Sequence, residues 1–194
     1  MLCCPCCCRR VLTLRCFAGK LNRADAPSRA AVFCGTRLRR DLFPLLWGNP
    51  CGVLTCDAFS SLATAIVPPF WGDLPVPRRF LPYYAIGPDP HCAGIDCFAQ
   101  DVTGEFCFVN PPFRLTKAAV IFFVESKARG LFVLPDRSGE WWWESYVSGG
   151  GFCQWSLKLP LANTEYRVDS GTGWKDVDKP VALTAYVLDF RHLT

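Results

Sequence analysis

Three short apolar runs along the chain have the pattern of strands that are buried on both faces. The first covers residues 52–56 and ends at Asp57, the second covers residues 105–109 and leads into Asn110, and the third covers residues 131–134. Continuous apolar runs of this length are typical of parallel sheets, because helices cover both faces of the sheet and leave no side for polar residues. The pattern therefore predicts three neighbouring strands of one core.

Helical patterns lie between and around these runs. Residues 115–128 contain neither Gly nor Pro and keep their charges to one side, which favours a helix. Residues 140–147 predict a second helix, and residues 38–47 predict a shorter one that is stopped by Gly48. A short strand and turn are expected over residues 95–101.

The end of the chain has the pattern of antiparallel structure. Residues 153–159 are a strand candidate, residues 166–178 form a polar turn region, and residues 181–190 predict a strong terminal strand. The order of elements predicts an α/β fold with a mostly parallel sheet and an antiparallel C-terminal edge. We expect residues 51–194 to form this domain and residues 1–50 to be a poorly ordered leader.

Composition agrees with a globular domain and decides little about a partner. Of the 194 residues, 51% are hydrophobic and only 20% are charged, which excludes a disordered chain. The formal charge of +4 is compatible with a nucleic-acid partner. Arginines concentrate in residues 1–50, where they form either a solvated arm or an arm that contacts phosphates.

Thirteen cysteines do not form a disulfide framework by their spacing. Their number is odd, and five of them crowd the first eight residues. Cys56 and Cys107 lie in apolar runs, where a free cysteine acts as a small hydrophobic residue. We therefore expect a reducing, intracellular compartment, nuclear or cytoplasmic. The N-terminal cysteines lack zinc-ligand spacing, so no metal is expected, although lipidation or a soft metal stays an alternative for that tract.

A membrane span is not expected either. The longest apolar run, residues 118–124, is far shorter than the about 20 residues that a spanning helix needs. The oligomeric state leaves no signal in the sequence.

The four residues that follow the second strand carry the clearest chemistry. Asn110, Pro111, Pro112 and Phe113 place an amide and a rigid backbone turn at a strand end, where α/β proteins bind ligands. The Asn110 oxygen and a carbonyl of the Pro-Pro unit can both accept hydrogen bonds from an exocyclic amine. These bonds favour the positive charge that develops when the amine nitrogen attacks a methyl group. Phe113 can stack on an extruded base, worth about 1–3 kcal/mol.

The alternative is that Asn-Pro-Pro-Phe is ordinary turn chemistry, and the strand before it and the helix after it weigh against that. The Trp141-Trp142-Trp143 cluster also has two interpretations. It could stack on single-stranded bases, or it could be a packed helix face with one exposed ring.

An ordered series of segments around this motif resembles a known family. These segments are residues 55–60, 87–90, 94–101, 108–113, 131–135 and 141–143. Together they resemble the phage-type, Dam-like N6-adenine DNA methyltransferases, and most closely the divergent copies carried by DIRS-like tyrosine-recombinase retrotransposons. The resemblance covers roughly residues 51–190.

The resemblance implies a Rossmann-like methyltransferase fold, S-adenosylmethionine as cofactor and DNA as substrate. Asn110 to Phe113 fall on the family's catalytic motif. Asp57 and Phe59 fall near its cofactor-binding first strand, and Asp96 or Asp101 falls where an acidic residue would meet the adenosine of the cofactor. The three aspartates also have an alternative role as capping or turn carboxylates.

One departure keeps a second function open. Ser60, Ser61 and Leu62 stand where methyltransferases usually carry glycines that let the backbone approach the cofactor. The expected function is N6-adenine DNA methylation. The alternative is a catalytically inactive nucleic-acid-binding remnant of such a domain.

Overall fold

The architecture was analysed on a computed structural model that describes residues 36–60, 64, 82–85, 92–162, 164–167, 174–176 and 181–193. The Cys-rich N-terminal tract and the Gly87–Pro90 turn lie outside the described residues.

A mixed sheet forms the centre of the fold. Its strands are β2 (Cys56–Asp57), β3 (Tyr84–Ala85), β4 (Gly94–Ile95), β5 (Phe106–Val109), β6 (Arg129–Pro135), β7 (Cys153–Lys158) and β10 (Leu183–Asp189). Five of them are paired in the order β2-β5-β6-β10-β7. The parallel pair β3-β4 joins their edge through a parallel bridge between Asp57 and Tyr83. The strands of this central sheet therefore follow the order β4-β3-β2-β5-β6-β10-β7.

The first five strands of that order run parallel, and the last strand of the chain runs against them. β10 pairs antiparallel with both β6 and β7. This agrees with the prediction of a mostly parallel sheet whose antiparallel part comes from the C-terminal end of the chain. The fold is thus mixed α/β.

Alternating side chains explain why β5 is apolar throughout. On β5, Phe106 and Phe108 enter one buried cluster, while Cys107 and Val109 enter the other. Successive side chains of a strand point to opposite faces, so β5 is buried on both. It has no polar position, as its sequence predicted.

Helices cover the two faces of the sheet. Helix α1 (Phe43–Trp47), preceded by a 3-10 turn at Arg40–Leu42, packs Phe43 against Phe108 on one face. Helix α2 (Thr116–Glu125) buries Ala119, Val120 and Phe123 on the other. The remaining helical segments are Cys97–Ala99, Phe113–Leu115, and α3 (Trp141–Trp143), which continues as a π-helical turn over Glu144–Ser148. The three predicted helices are confirmed within a few residues.

Residues 38–47 belong to the core rather than to the leader. Leu38, Leu42 and Leu46 are buried in the same cluster as Phe106 and Phe108. Their hydrophobic spacing was visible in the sequence, but the surrounding arginines favoured a solvated arm. The boundary at residue 51 therefore does not separate the leader from the packed domain.

Two other predictions were wrong in detail. The first buried run forms a strand only at Cys56–Asp57, and Val53 is 84% exposed. The expected turn region over residues 166–178 instead contributes β8 (Thr164–Arg167) and β9 (Trp174–Asp176). β8 pairs antiparallel with β9 and with β1 (Thr36–Leu38). The polar sequence of these two strands resembles a loop, and β8 has one of its two partners more than 120 residues earlier in the chain.

Candidate functional site

The candidate site lies where two neighbouring parallel strands end. β2 and β5 pair with Cys56 opposite Cys107 and Asp57 opposite Phe108. Asp57 ends β2, and Asn110 follows β5 directly, so both residues lie at the carboxyl edge of the sheet. The strand order reverses between these two strands, since β3 and β4 continue on one side and β6 on the other. Open α/β sheets bind ligands outside the carboxyl ends at such a switch point.

Asp57 ends the strand that is paired with β5, the strand leading into the motif. Its side chain is buried, with 2% exposure. Its backbone N–H donates to the Pro82 carbonyl at 2.8 Å, which ties β2 to β3. One carboxylate oxygen accepts from the Phe59 N–H at 3.4 Å, so the group also shapes the loop that follows β2.

Phe59 is held in an aromatic row rather than left free. Its ring packs edge-to-face on Phe98 at 5.6 Å, and Phe98 packs in the same manner on Phe122 of α2 at 5.5 Å. The row connects the loop after β2 with the helix that follows the Asn-Pro-Pro-Phe motif. It thereby fixes the distance between the two halves of the site.

Asp96 joins this edge of the sheet. It follows β4, which runs parallel to β3 and β2. Its backbone has a φ of 59°, and its carboxylate accepts from the Phe98 N–H at 3.1 Å. It therefore caps the turn that carries Phe98, which is the alternative role that the sequence left open for it. The Asp96 residue is exposed.

Asp101 does not join the other site residues. Its carboxylate accepts from the N–H and the hydroxyl of Thr103 at 2.9 and 2.6 Å, and these bonds lower the pKa of Asp101. The next turn, from Val102 to Glu105, leads into the first residue of β5. At this point the chain has already left the carboxyl edge of the sheet. In its described contacts, Asp101 therefore acts only as a turn carboxylate.

The Asn-Pro-Pro-Phe segment presents two acceptors without internal partners. The Pro112 carbonyl accepts from the Leu115 N–H at 2.7 Å, and the Phe113 carbonyl accepts from the buried Thr116 hydroxyl at 2.9 Å. Within the described part of the chain, neither the half-buried Asn110 amide nor the Pro111 carbonyl makes a hydrogen bond. The turn therefore leaves available the two acceptors that recognition of an amine requires.

Exposed rings flank this segment. Phe113 is 43% exposed, and Trp141, which follows the neighbouring strand β6, is 57% exposed. The ammonium of Lys117, from the first turn of α2, lies 5.2 Å from the centre of the Trp141 ring. Trp142 and Trp143 are buried in the core. The tryptophan cluster is thus a packed face with one exposed ring, and Lys117 is a neighbour that the sequence did not indicate.

Three buried thiols lie beneath the site. Cys56, Cys97 and Cys107 are free and belong to the cluster covered by α2. The hydrogen bond with Cys56, and then burial, raise the pKa of the Cys107 thiol, and burial raises the pKa of Cys97. The contact between Cys56 and Cys107 has no sequence signal, because it depends on the register of two strands.

Among the described residues, no three His, Cys, Asp or Glu side chains come together in a way that could hold a metal ion. The helices in the described ranges lack the length and apolar character needed to cross a membrane.

Comparison of the chain with protein-family models, curated proteins and solved structures gave no match. Function must therefore be argued from the site.

Proposed function

We propose that this protein is an S-adenosylmethionine-dependent N6-adenine DNA methyltransferase of phage or mobile-element type. One observation carries the proposal: the Asn110 amide and the Asp57 carboxylate end adjacent parallel strands, at the point where the strand order reverses. At such a switch point, the end of one strand can hold a nucleoside-containing ligand, and the end of the neighbouring strand can present the reacting groups.

Strand order supports the finer assignment to a Rossmann-like methyltransferase fold. In chain order, the five parallel strands of the described sheet are arranged 3-2-1-4-5, as in the dinucleotide-binding Rossmann fold. The antiparallel insertion of β10 between β6 and β7 agrees with the antiparallel C-terminal edge expected from the order of elements in the sequence.

The residues of the motif would act on the amine of adenine. The lone pair of this amine is delocalised into the ring, which makes the nitrogen a poor nucleophile. Hydrogen bonds from the NH₂ group to the Asn110 amide oxygen and the Pro111 carbonyl favour a nitrogen whose lone pair is localised. They also stabilise the positive charge that the nitrogen gains as it reacts. Because the prolines fix φ, the Pro111 carbonyl does not need to reorganise.

Phe113 would hold the base while this happens. Its ring is 43% exposed next to the two acceptors. A base swung out of the duplex loses stacking worth a few kcal/mol, and a stacking ring in the pocket offsets part of that loss.

The residues on the other half of the site fit the chemistry of the cofactor. S-adenosylmethionine carries a cationic sulfonium, an ammonium and ribose hydroxyls, and it supplies an electrophilic methyl group when bound. Carboxylates at the ends of β2 and β4, Asp57 and Asp96, are suitable partners for those groups. Ala58 and Ser60 in the loop after β2 are small, although they are not the glycines usual in this position.

The test is transfer of a labelled methyl group from S-adenosylmethionine to DNA of mixed sequence by the full chain. We expect N6-methyladenine as the product, and we expect Asn110→Ala to lower the rate by at least about 100-fold, the usual cost of removing such an acceptor or donor. Asn49→Ala is the matched control. Asn49 is a buried amide that bonds to the Leu46 carbonyl and the Cys51 N–H, so its loss should lower stability without abolishing transfer. Equal rates for wild type and Asn110→Ala would reject the proposed mechanism.

A second candidate function is nucleic-acid binding without catalysis. The exposed Trp141 ring with Lys117 beside it favours this possibility, and so does the loop without glycine after β2. This candidate predicts DNA binding that weakens with salt, with no methyl transfer by the wild-type chain. Transfer by wild type that Asn110→Ala abolishes would exclude it.

A further inference from the structure

Cys56 and Cys107 are directly opposed across the parallel pair β2-β5. Their Sγ atoms lie 2.8 Å apart, although 51 residues separate them in the chain. Both thiols are free, and the exposed fractions of the two residues are 2% and 0%. Both cysteines are close in sequence to a candidate site residue. Cys56 directly precedes Asp57, and Cys107 lies three residues before Asn110.

Cys56 and Cys107 already have the relative positions that a disulfide bond requires. Two cysteines can be bridged without backbone movement only when their Cα atoms are close and their Cβ atoms point together. Partners in a parallel ladder meet the first condition, and the contact between the two sulfurs meets the second. Cys97 lies in the same cluster but follows β4 rather than facing β5, so it is not placed to compete in register.

We propose that Cys56 and Cys107 are a modification site, a dithiol that closes to an intramolecular disulfide when the protein meets a peroxide. Peroxide is the oxidant that fits, because it is small enough to reach a buried pair of thiols when the carboxyl edge of the sheet opens briefly. The assignment stands independently of the proposed methyltransferase function.

The chemistry balances in two steps. One cysteine sulfur, as thiolate, attacks a peroxide oxygen, which gives a sulfenic acid and releases water once a proton is taken up. The second sulfur then attacks the sulfenic sulfur, the S–S bond forms and a second water leaves. Two thiols and one hydrogen peroxide therefore become one disulfide and two waters. Because the raised pKa of Cys107 keeps that thiol protonated, oxidation should be slower than at an exposed cysteine.

A bond at this position would fix the edge that carries the candidate site. β2 contains only two residues, and around it the Thr55 N–H and the Ala58 N–H donate to the Phe106 and Phe108 carbonyls at 2.9 and 2.8 Å. A covalent link through Cys56 would hold Asp57 in register with Phe108 when these hydrogen bonds open. It would also restrict the unfolded chain, because it closes a long loop.

The experiment is peroxide treatment of the full reduced chain, followed by alkylation of remaining thiols and chymotryptic digestion without reductant. Cleavage after Leu54, Phe59, Phe106 and Phe108 isolates Cys56 in residues 55–59 and Cys107 in residues 107–108. We expect these two peptides to be linked, two hydrogens lighter than their sum. The proposal is overturned if both are still recovered separately and alkylated after peroxide treatment has been continued well beyond complete oxidation of the exposed Cys153, or if Cys56 is linked mainly to other cysteines.

Thermal unfolding provides a second readout. Oxidation should raise the Tm of the wild-type chain by on the order of 10 °C. The shift should vanish in Cys107→Ala and persist in the matched control Cys97→Ala, which removes a buried thiol that faces no partner strand. The same shift in both variants would overturn the proposal. If Cys107→Ala does not fold, the peptide result from the wild-type chain decides.

Discussion

Asp57 pairs in register with Phe108, two residues before Asn110, across neighbouring parallel strands. This relationship brings two side chains that are 53 positions apart in the chain to one edge of the sheet. The backbone hydrogen bond from Ala58 to Phe108 at 2.8 Å continues the pairing beyond the end of β2. The cofactor half and the amine half of the proposed site are thus built on one rigid backbone ladder, and they depend on the packing of β2, β5 and β6.

That packing gives a prediction for Gly130 of β6. A Cβ atom at this position would lie 2.9 Å from Val109 Cγ2 and 3.1 Å from the Cys107 carbonyl oxygen. Since the oxygen belongs to the backbone of β5, the strands would have to move apart. We expect Gly130→Ala to lower the free energy of unfolding by about 1–3 kcal/mol, as measured by urea denaturation.

Gly104 is the control for this substitution. A Cβ atom there would meet no atom within 4 Å. Gly104→Ala should therefore leave stability unchanged or raise it slightly, because it reduces the freedom of the unfolded chain. Equal losses in the two variants would contradict the close approach of β5 and β6.

The pH dependence of stability should depend on Asp189. Its carboxylate, 2% exposed, accepts hydrogen bonds from Arg191 at 2.9 and 2.6 Å. These bonds hold the pKa of Asp189 below its usual range, and burial opposes them. The folded state thus favours the ionised form. The resulting stability is complete above the unfolded pKa of about 4 and is lost as pH falls through the lower folded pKa.

We expect Asp189→Asn to cost about 1–2 kcal/mol at neutral pH, since the Arg191 partner is 43% exposed and screened by solvent. The difference from wild type should shrink below about pH 4. Asp41→Asn is the control, because Asp41 pairs with Arg39 at the surface with 61% of its side chain exposed. A pH-independent loss in Asp189→Asn would contradict the ionic origin of the effect.

Trp141 and Lys117 should contribute to DNA binding rather than to chemistry. We expect Trp141→Ala to weaken binding of single-stranded DNA by about 1–3 kcal/mol, the value of one stacked base. Lys117→Gln should reduce the slope of log affinity against log salt by about 1, as expected for one lost phosphate contact. Titrations at several salt concentrations measure both quantities.

The control for these variants is Val53→Ala, because Val53 is an apolar side chain, 84% exposed, on the loop before β2. It should leave affinity and salt slope unchanged. If Trp141→Ala binds as well as wild type, the exposed ring is not part of the nucleic-acid surface.

The sequence predicted the elements whose own pattern determines them. Residues 106–109 and 131–134 are apolar throughout because helices cover both faces, and α2 lies within a stretch free of Gly and Pro. Asn110 could be singled out because its chemistry lies in a contiguous motif.

The remaining features depend on partners that are distant in the chain. β8 pairs with β1, which lies more than 120 residues earlier in the chain, and Leu42 is buried in the same cluster as Phe108. Asp96 and Asp101 are similar in sequence, and only the path of the chain places the first at the carboxyl edge and the second before β5. The contact between Cys56 and Cys107 follows from register alone.

Binding of S-adenosylmethionine to the full chain, measured by calorimetry, tests the central claim most directly. We predict saturable binding with one site, which Asp57→Asn weakens and Asp101→Asn leaves unchanged, because Asp57 ends β2 beside Asn110 and Asp101 lies in the turn before β5. The absence of saturable binding by the wild-type chain would contradict the methyltransferase proposal.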